Sequence, residues 1–152
     1  MEEASWSSLV IQGGEDFINT IAELHFLTTL NRIQCALKKY GPLMADPNNR
    51  TKAVGMIDAP IVGAEVIMRA GYWKEGHTFR PSDTHLAKLR FRQAYFLRLA
   101  ATTGHATSSS PDGPVLVEAL QAIGDALLLL PDDRALLRER DAISDCIKRS
   151  CM

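Results

Sequence analysis

The sequence predicts a mostly α protein, and three observations support this. Apolar residues recur at steps of three and four along several segments, the spacing that places them on one face of a helix. Segments with the alternating pattern of a half-buried strand are sparse, so we expect at most a small β element. The chain has 152 residues, of which 46% are hydrophobic and 23% charged, and this is enough to build the core of a compact domain.

The first predicted helix covers residues 15–40 and follows an N-terminal extension at residues 1–14. Acidic residues favour its first turn through the helix dipole, and Gly41 and Pro42 end or kink it. Its expected apolar stripe consists of Phe17, Ile21, Leu24, Leu27, Leu30, Ile33, Leu37 and Tyr40.

The next segment is predicted to contain a turn and a short helix. The turn covers residues 45–52, where Pro47 fixes one backbone angle and the two asparagines that follow can bond their own backbone. The short helix covers residues 63–70, with Gly71 as its left-handed cap. Residues 77–81 form a short extended piece, because the residue before a proline avoids the helical conformation.

Ser82 is the predicted N-cap of a longer helix. Its expected core face consists of Leu86, Leu89, Gln93, Phe96, Leu97 and Ala100. Lys88, Arg90, Arg92 and Arg98 lie largely off this face and form a basic stripe. Such a stripe is either a solvated helix surface or a site for an acidic partner, which arginine geometry would strengthen.

The C-terminal part is predicted to be a helical hairpin, residues 114–152, which follows a linker or exposed loop at residues 102–113. Pro114 suits a first helical position, and the final helix is expected to start at Pro131. The apolar stripe of the first hairpin helix consists of Leu116, Leu120, Ile123, Leu127 and Leu130. Residues 119–137 weakly echo residues 36–54, so the hairpin is either an incomplete second copy of the first module or a pair of helices with similar ends.

Charge and cysteine content narrow the function classes. The net charge is -1 and the isoelectric point is about 6.4, so neither nucleic acid nor a membrane surface is an expected partner. Cys35, Cys146 and Cys151 form no disulfide framework, and we expect reduced thiols, with Cys35 buried, in a cytoplasmic protein, a nuclear location being the alternative. No glycine-rich phosphate loop, nucleophile elbow or short-spaced zinc ligand set is present, so we expect a non-catalytic protein without cofactor or metal.

One segment of the sequence points to a particular protein family. Residues 63–90, GAEVIMRAGYWKEGHTFRPSDTHLAKLR, contain Gly-Ala, an apolar helix, Gly-Tyr, Glu-Gly, an extended piece ending in proline and a leucine-containing helix. The matching residues are Gly63, Ala64, Ile67, Gly71, Tyr72, Glu75, Gly76, Phe79, Pro81, Leu86, Leu89 and Arg90. This pattern resembles the PUB (PUG) domain family. The upstream stretch ALKKYGPLMADPNN is similar to the family's helix and Pro-Asn turn, so the resemblance covers about residues 20–100.

The resemblance implies a compact PUB-like helical module, residues 15–101, that binds protein and has no catalytic activity. Domains of this family bind the acidic, aromatic-containing C-terminal tail of the AAA ATPase valosin-containing protein. They recruit partner activities to the ubiquitin pathway and to protein quality control. The expected partner is therefore a short acidic peptide tail.

The family's peptide pocket is only partly represented, because the segment between Pro47 and Gly63 is about eight residues shorter than the family's. By the resemblance, Arg50 stands for the pocket lysine, Asp58 for the asparagine and Ile61 for the phenylalanine. An aspartate at the asparagine position repels an acidic tail. The predicted peptide-binding set is Arg50, Lys52, Asp58, Ile61, Gly71, Tyr72, Lys88 and Arg90.

Two alternatives remain open at the level of sequence. The Gly71-Tyr72 pair also resembles the Gly-aromatic loop of UBA domains, which makes ubiquitin an alternative partner. The second alternative is a helical structural or assembly subunit without a peptide groove. In that case the apolar residues 127–130 and the last helix would provide an oligomer surface.

Overall fold

A computed structural model describes residues 3–69, 79–103 and 112–150, with only the helical backbone for residues 3–16. Across these ranges the chain forms five α-helices and no strand, which confirms the mostly α prediction. A 3₁₀ turn at Gly41–Ala45 joins the first two helices. The helices are α1 (Glu3–Tyr40), α2 (Arg50–Arg69), α3 (Asp83–Thr103), α4 (Gly113–Leu129) and α5 (Arg134–Ser150).

The predicted start signals of the later helices are largely confirmed. The hydroxyl of Ser82 accepts the His85 amide at 3.3 Å and so caps α3. Asp112 caps α4 by accepting the Val115 amide at 3.4 Å, with a proline in the first turn as expected. The prediction that the last helix starts at Pro131 is wrong, because Asp133 is the capping residue. Its Oδ1 accepts the Ala135 and Leu136 amides at 3.0 and 3.1 Å.

The prediction that the second helix starts at residue 63 is also wrong, because α2 begins at Arg50. The turn before it is real, since Asp46 Oδ1 accepts the Asn48 amide at 3.0 Å, but the helix begins at once after this turn. Pro60 lies inside α2, where it lacks the amide that would pair with the Met56 carbonyl. The proline ring is buried in the core while Met56 lies at the surface, where water can reach it, so the helix continues through the proline.

The first helix begins before the predicted residue 15, at Glu3, and its buried face agrees with the predicted stripe only in part. Leu30, Ile33 and Leu37 are buried as predicted, but between residues 18 and 26 the buried residues are Ile18, Ala22 and Phe26, and the predicted Leu24 is 58% exposed. Thr29 is buried, and its methyl group lies 3.9 Å from where a Cβ on Gly63 of α2 would stand. A Cβ at position 63 would make ordinary van der Waals contact with Thr29, so α2 lies directly against α1 at this point.

One hydrophobic cluster joins α1, the 3₁₀ turn, α2 and one face of α3. Its largest fully buried side chains are Phe26, Ile33, Met44, Ile57 and Leu89. Phe79, which precedes α3, packs its ring on Phe26 with a centroid distance of 5.9 Å and an interplanar angle of 57°. This ring pair fixes the chain's entry into α3 against the N-terminal helices.

A second cluster among the described residues joins the opposite face of α3 to α4 and α5. The large side chains come from the C-terminal hairpin, for example Leu116, Ile123 and Ile143. The α3 side is made of alanines: Ala87, Ala94 and Ala101 recur every seven residues and are buried. Ala119, Ala122 and Ala126 of α4 are buried in the same cluster. Small side chains on both helices bring their axes close together.

We expect Ala94→Leu to lower the free energy of unfolding by about 1–3 kcal/mol. Ala94 is fully buried, so a larger side chain at this position must push α4 away from α3. Chemical denaturation followed by circular dichroism measures this change. The matched control is Ala59→Leu on the exposed surface of α2, where a change within about 0.5 kcal/mol is expected. Equal effects of the two substitutions would show that α3 and α4 are not closely packed.

Candidate functional site

The described members of the predicted peptide-binding set lie at several separate places on the fold. The guanidinium of Arg50 donates to the Met44 carbonyl at 3.0 Å, the Thr103 hydroxyl at 2.9 Å and the Ala100 carbonyl at 2.8 Å. It ties the start of α2 to the end of α3 and satisfies carbonyls that the helix ends leave unpaired. Lys52 is exposed on α2.

The remaining predicted residues fall on two sides of α3 or outside the described ranges. Asp58 and Ile61 line a cleft along α2, and Arg90 bonds there to Glu65 and, at 3.1 Å, to Gln93. Lys88 lines a separate groove between α1, α3 and the start of α5. Gly71 and Tyr72 lie outside the described residues, as do most of residues 102–113. A role in peptide binding remains a prediction for each of the eight residues.

The predicted basic stripe on α3 is not a uniform solvated surface. Arg92 donates to the Leu30 carbonyl of α1 at 2.8 Å, and burial lowers the pKa of its guanidinium. Arg98 makes a two-point contact with Glu139 of α5, at 2.5 and 2.9 Å. This contact raises the pKa of Arg98, since the hydrogen bond and the charge of Glu139 outweigh the burial of the guanidinium.

The groove that contains Lys88 combines cations with an apolar floor. It consists of two adjoining cavities of about 410 and 220 Å³, which share Gln34, Phe91 and Arg92. We call it the basic groove. Its lining residues are Gln34, Leu37, Lys38, Thr84, Ala87, Lys88, Phe91, Arg92, Tyr95, Leu130, Asp133, Ala135 and Leu136.

Three cations and one carboxylate are among these described lining residues. Lys38 lies on the α1 side, and Lys88 and Arg92 are one helical turn apart on α3. The carboxylate belongs to Asp133, whose Oδ1 accepts two amides of the first turn of α5. The groove therefore has a local charge of about +2 in a chain whose net charge is -1.

Two aromatic rings stand in the basic groove. Phe91 and Tyr95 are stacked, with centroids 6.5 Å apart and an interplanar angle of 15°. The guanidinium carbon of Arg98 lies 5.3 Å from the Tyr95 ring centroid, which adds a cation–π contact. Both rings are half-buried, so each presents part of its surface to the groove.

Most residues of this groove were not among those predicted from the sequence. Lys38, Phe91 and Tyr95 were not among the predicted site residues, although Phe91 and Tyr95 are four residues apart on α3. The spacing shows that these rings share a face with Lys88 and Arg92 but not which helices lie beside it. The groove forms only because α1 and the start of α5 flank this side of α3.

Other features of the described residues bear on function. No three histidine, cysteine, aspartate or glutamate side chains gather there into a possible metal site. Within the same ranges, none of the helices combines the length and apolar character needed to cross a membrane. Cys146 is buried and free, and Cys35 is exposed and free, so the prediction of a buried Cys35 is wrong.

Comparisons with protein-family models, with curated proteins and with solved structures found no match to this chain. The resemblance to PUB domains therefore remains a prediction that is based on the motif residues alone.

We expect Arg98→Met to lower the free energy of unfolding by about 2–3 kcal/mol, because Glu139 is only 6% exposed and would lose its charge partner. Adding Glu139→Met should recover much of this loss, since two apolar side chains leave no buried unpaired charge. Urea denaturation of the single and double variants measures both effects in one cycle.

Arg140→Met is the matched control, because Arg140 pairs with Asp141 at 3.8 Å on the exposed surface of α5, the helix that contains Glu139. A surface pair of this kind contributes at most about 1 kcal/mol. If the Arg98 and Arg140 variants lose equal stability, the Arg98–Glu139 contact does not join α3 to α5 in solution.

Proposed function

We propose that this chain is a non-catalytic protein-interaction module that binds a short acidic peptide in the basic groove. The observation that carries the proposal is the placement of Lys38, Lys88 and Arg92 around one apolar, aromatic-lined groove. It agrees with the kind of ligand that the resemblance to PUB domains implies, although Lys88 is the only described member of the predicted peptide-binding set that lines the groove.

Charge supports an acidic rather than a basic ligand. The two lysines are exposed, so they can turn toward a carboxylate without losing an internal partner. Arg92 is held in place by its bond to the Leu30 carbonyl and keeps further N–H donors in its planar fork. A carboxylate beside Arg92 therefore meets a fixed donor, and the lysines add attraction that depends on salt.

The floor of the groove supports an apolar or aromatic side chain in the ligand. Leu37, Ala87 and Leu136 are buried beneath it, while the rings of Phe91 and Tyr95 are partly open. An aromatic side chain that enters the larger cavity can lie on the Phe91 ring in an offset or edge-to-face arrangement. A mainly apolar pocket with a few oriented polar groups is the usual form of a small binding site.

A specific candidate ligand is the C-terminal tail of the AAA ATPase valosin-containing protein, which the resemblance implies. It is acidic and contains an aromatic residue, so it has both of the properties that the groove selects. Binding of this tail would assign the chain an adaptor role in protein quality control in the cytoplasm.

Fluorescence anisotropy with a labelled C-terminal peptide of valosin-containing protein tests the proposal. We expect saturable binding that weakens as ionic strength rises, because exposed lysines contribute to it. Lys88→Glu should weaken binding about 5- to 20-fold, since it replaces attraction by repulsion at the rim. Lys52→Glu makes the same charge change on an exposed part of α2 away from the groove and should leave the affinity within about twofold.

Two outcomes would contradict the proposal. One is the absence of saturable binding to the wild-type chain. The other is an equal loss of affinity in the Lys88 and Lys52 variants, which would mean that total charge rather than the basic groove holds the peptide. A peptide whose acidic residues are replaced by their amides should bind more weakly than the parent.

A further inference from the structure

The helix α2 has a second apolar face that the fold leaves uncovered among the described residues. Its buried face packs against α1, while Gly55, Ala59, Val62 and Val66 follow one another at steps of four, three and four on the exposed surface. Val62 and Val66 are 51% and 53% exposed. A helix that serves only to cover a core has polar residues at such positions.

This face borders a cleft that continues toward α4. The cleft consists of two cavities of about 460 and 310 Å³, which share Glu65, Arg69 and Gln93. The first cavity has apolar walls from Ile61, Val62 and Val66. The second is polar, and its further residues include Glu118 and Asp125 of α4. We call the exposed face and the cleft together the α2 surface.

The α2 surface is acidic. Its lining contains the carboxylates of Asp58, Glu65, Glu118 and Asp125 and the guanidiniums of Arg69 and Arg90. Both guanidiniums bind the same carboxylate: Arg69 lies 3.3 Å from Glu65 Oε2, and Arg90 bonds to Glu65 Oε1. Among the described residues no ion pair neutralises Asp58, Glu118 or Asp125. These three carboxylates therefore give the α2 surface its net negative charge.

We propose that the α2 surface binds a basic amphipathic helix of a partner protein. Apolar residues of such a helix, spaced by three and four, would pack between Val62 and Val66, and Gly55 and Ala59 would allow close approach. Lysine or arginine of this helix would meet Asp58 of α2 and the carboxylates of α4, which line the same cleft. The Cβ of Gly55 would meet no atom within 4 Å, which leaves the room that this approach needs.

A second copy of the chain is a poorer occupant. A symmetric dimer through this surface would bring the same acidic patch against itself, and like charges at an interface oppose association. A basic partner reverses this repulsion into attraction. The α2 surface and the basic groove lie on opposite flanks of α3, so the proposal does not depend on the ligand of the basic groove.

The probe is a fluorescein-labelled peptide of about 18 residues with leucines at helical spacing and lysines on both flanks, a length that can form a helix. Anisotropy should show saturable binding to the wild-type chain, and a version with glutamate in place of lysine should not bind. Methyl shifts in NMR spectra should be largest at Val62 and Val66.

Two matched pairs of variants locate the site. Val66→Ser should weaken binding about tenfold, whereas Val117→Ser, which changes an equally exposed valine of α4 (59%), should not. Asp58→Lys should weaken binding about 5- to 20-fold, and Asp141→Lys on the exposed surface of α5 should change it less than about twofold. All four positions are exposed, so thermal unfolding should show that each variant keeps its fold.

The proposal is overturned if the basic peptide does not bind saturably, or if the members of each pair bind it equally. It is also overturned if sedimentation shows a dimer that Val66→Ser dissociates, because the α2 surface is then covered by a second copy. Failure of the acidic peptide to bind at the basic groove leaves these results unaffected.

Discussion

The close contact between α3 and α4 is the constraint on which the other features depend. Ala87, Ala94 and Ala101 bury one face of α3 against α4 and α5, while Leu89 and Phe96 bury the opposite face against the N-terminal helices. A helix with two buried faces has only two narrow flanks left for polar side chains. Every charged residue of α3 that does not point outward must therefore find a partner on a neighbouring helix or line a cleft.

The arginines of α3 follow this constraint. Arg98 reaches Glu139 on α5, Arg90 reaches Glu65 on α2, and Arg92 reaches a carbonyl of α1. In each case the planar guanidinium makes directed bonds to the neighbouring helix. The basic stripe on α3 is therefore largely a set of ties between helices, and Lys88 is the member that stays exposed.

The same constraint produces the two grooves and their opposite charges. On one flank of α3, Lys88 and Arg92 face Lys38 of α1, and the surface is basic. On the other flank, Arg90 and Gln93 face Glu65 of α2 and the carboxylates of α4, and the surface is acidic. Because the charges nearly cancel over the whole chain, the net charge of -1 hides both surfaces. The two flanks of α3 therefore differ in charge although they belong to one helix.

The helical class, the turn at Pro47, the cap at Ser82 and the apolar stripe of α4 could be predicted from the sequence, because they depend on contacts within a few residues. The sequence pattern correctly predicted burial of Leu30, Ile33 and Leu37 in α1. Earlier in the helix it favoured the stripe through Leu24 over the adjacent face through Phe26, because only the position of α2 selects between them. It also placed the start of α2 after Pro60, because the penalty of an internal proline is local whereas the burial that offsets it is tertiary. The basic groove and the α2 surface could not be predicted from the sequence for the same reason, because their residues come from helices far apart in the chain. Packing through small alanines decides which of those helices meet.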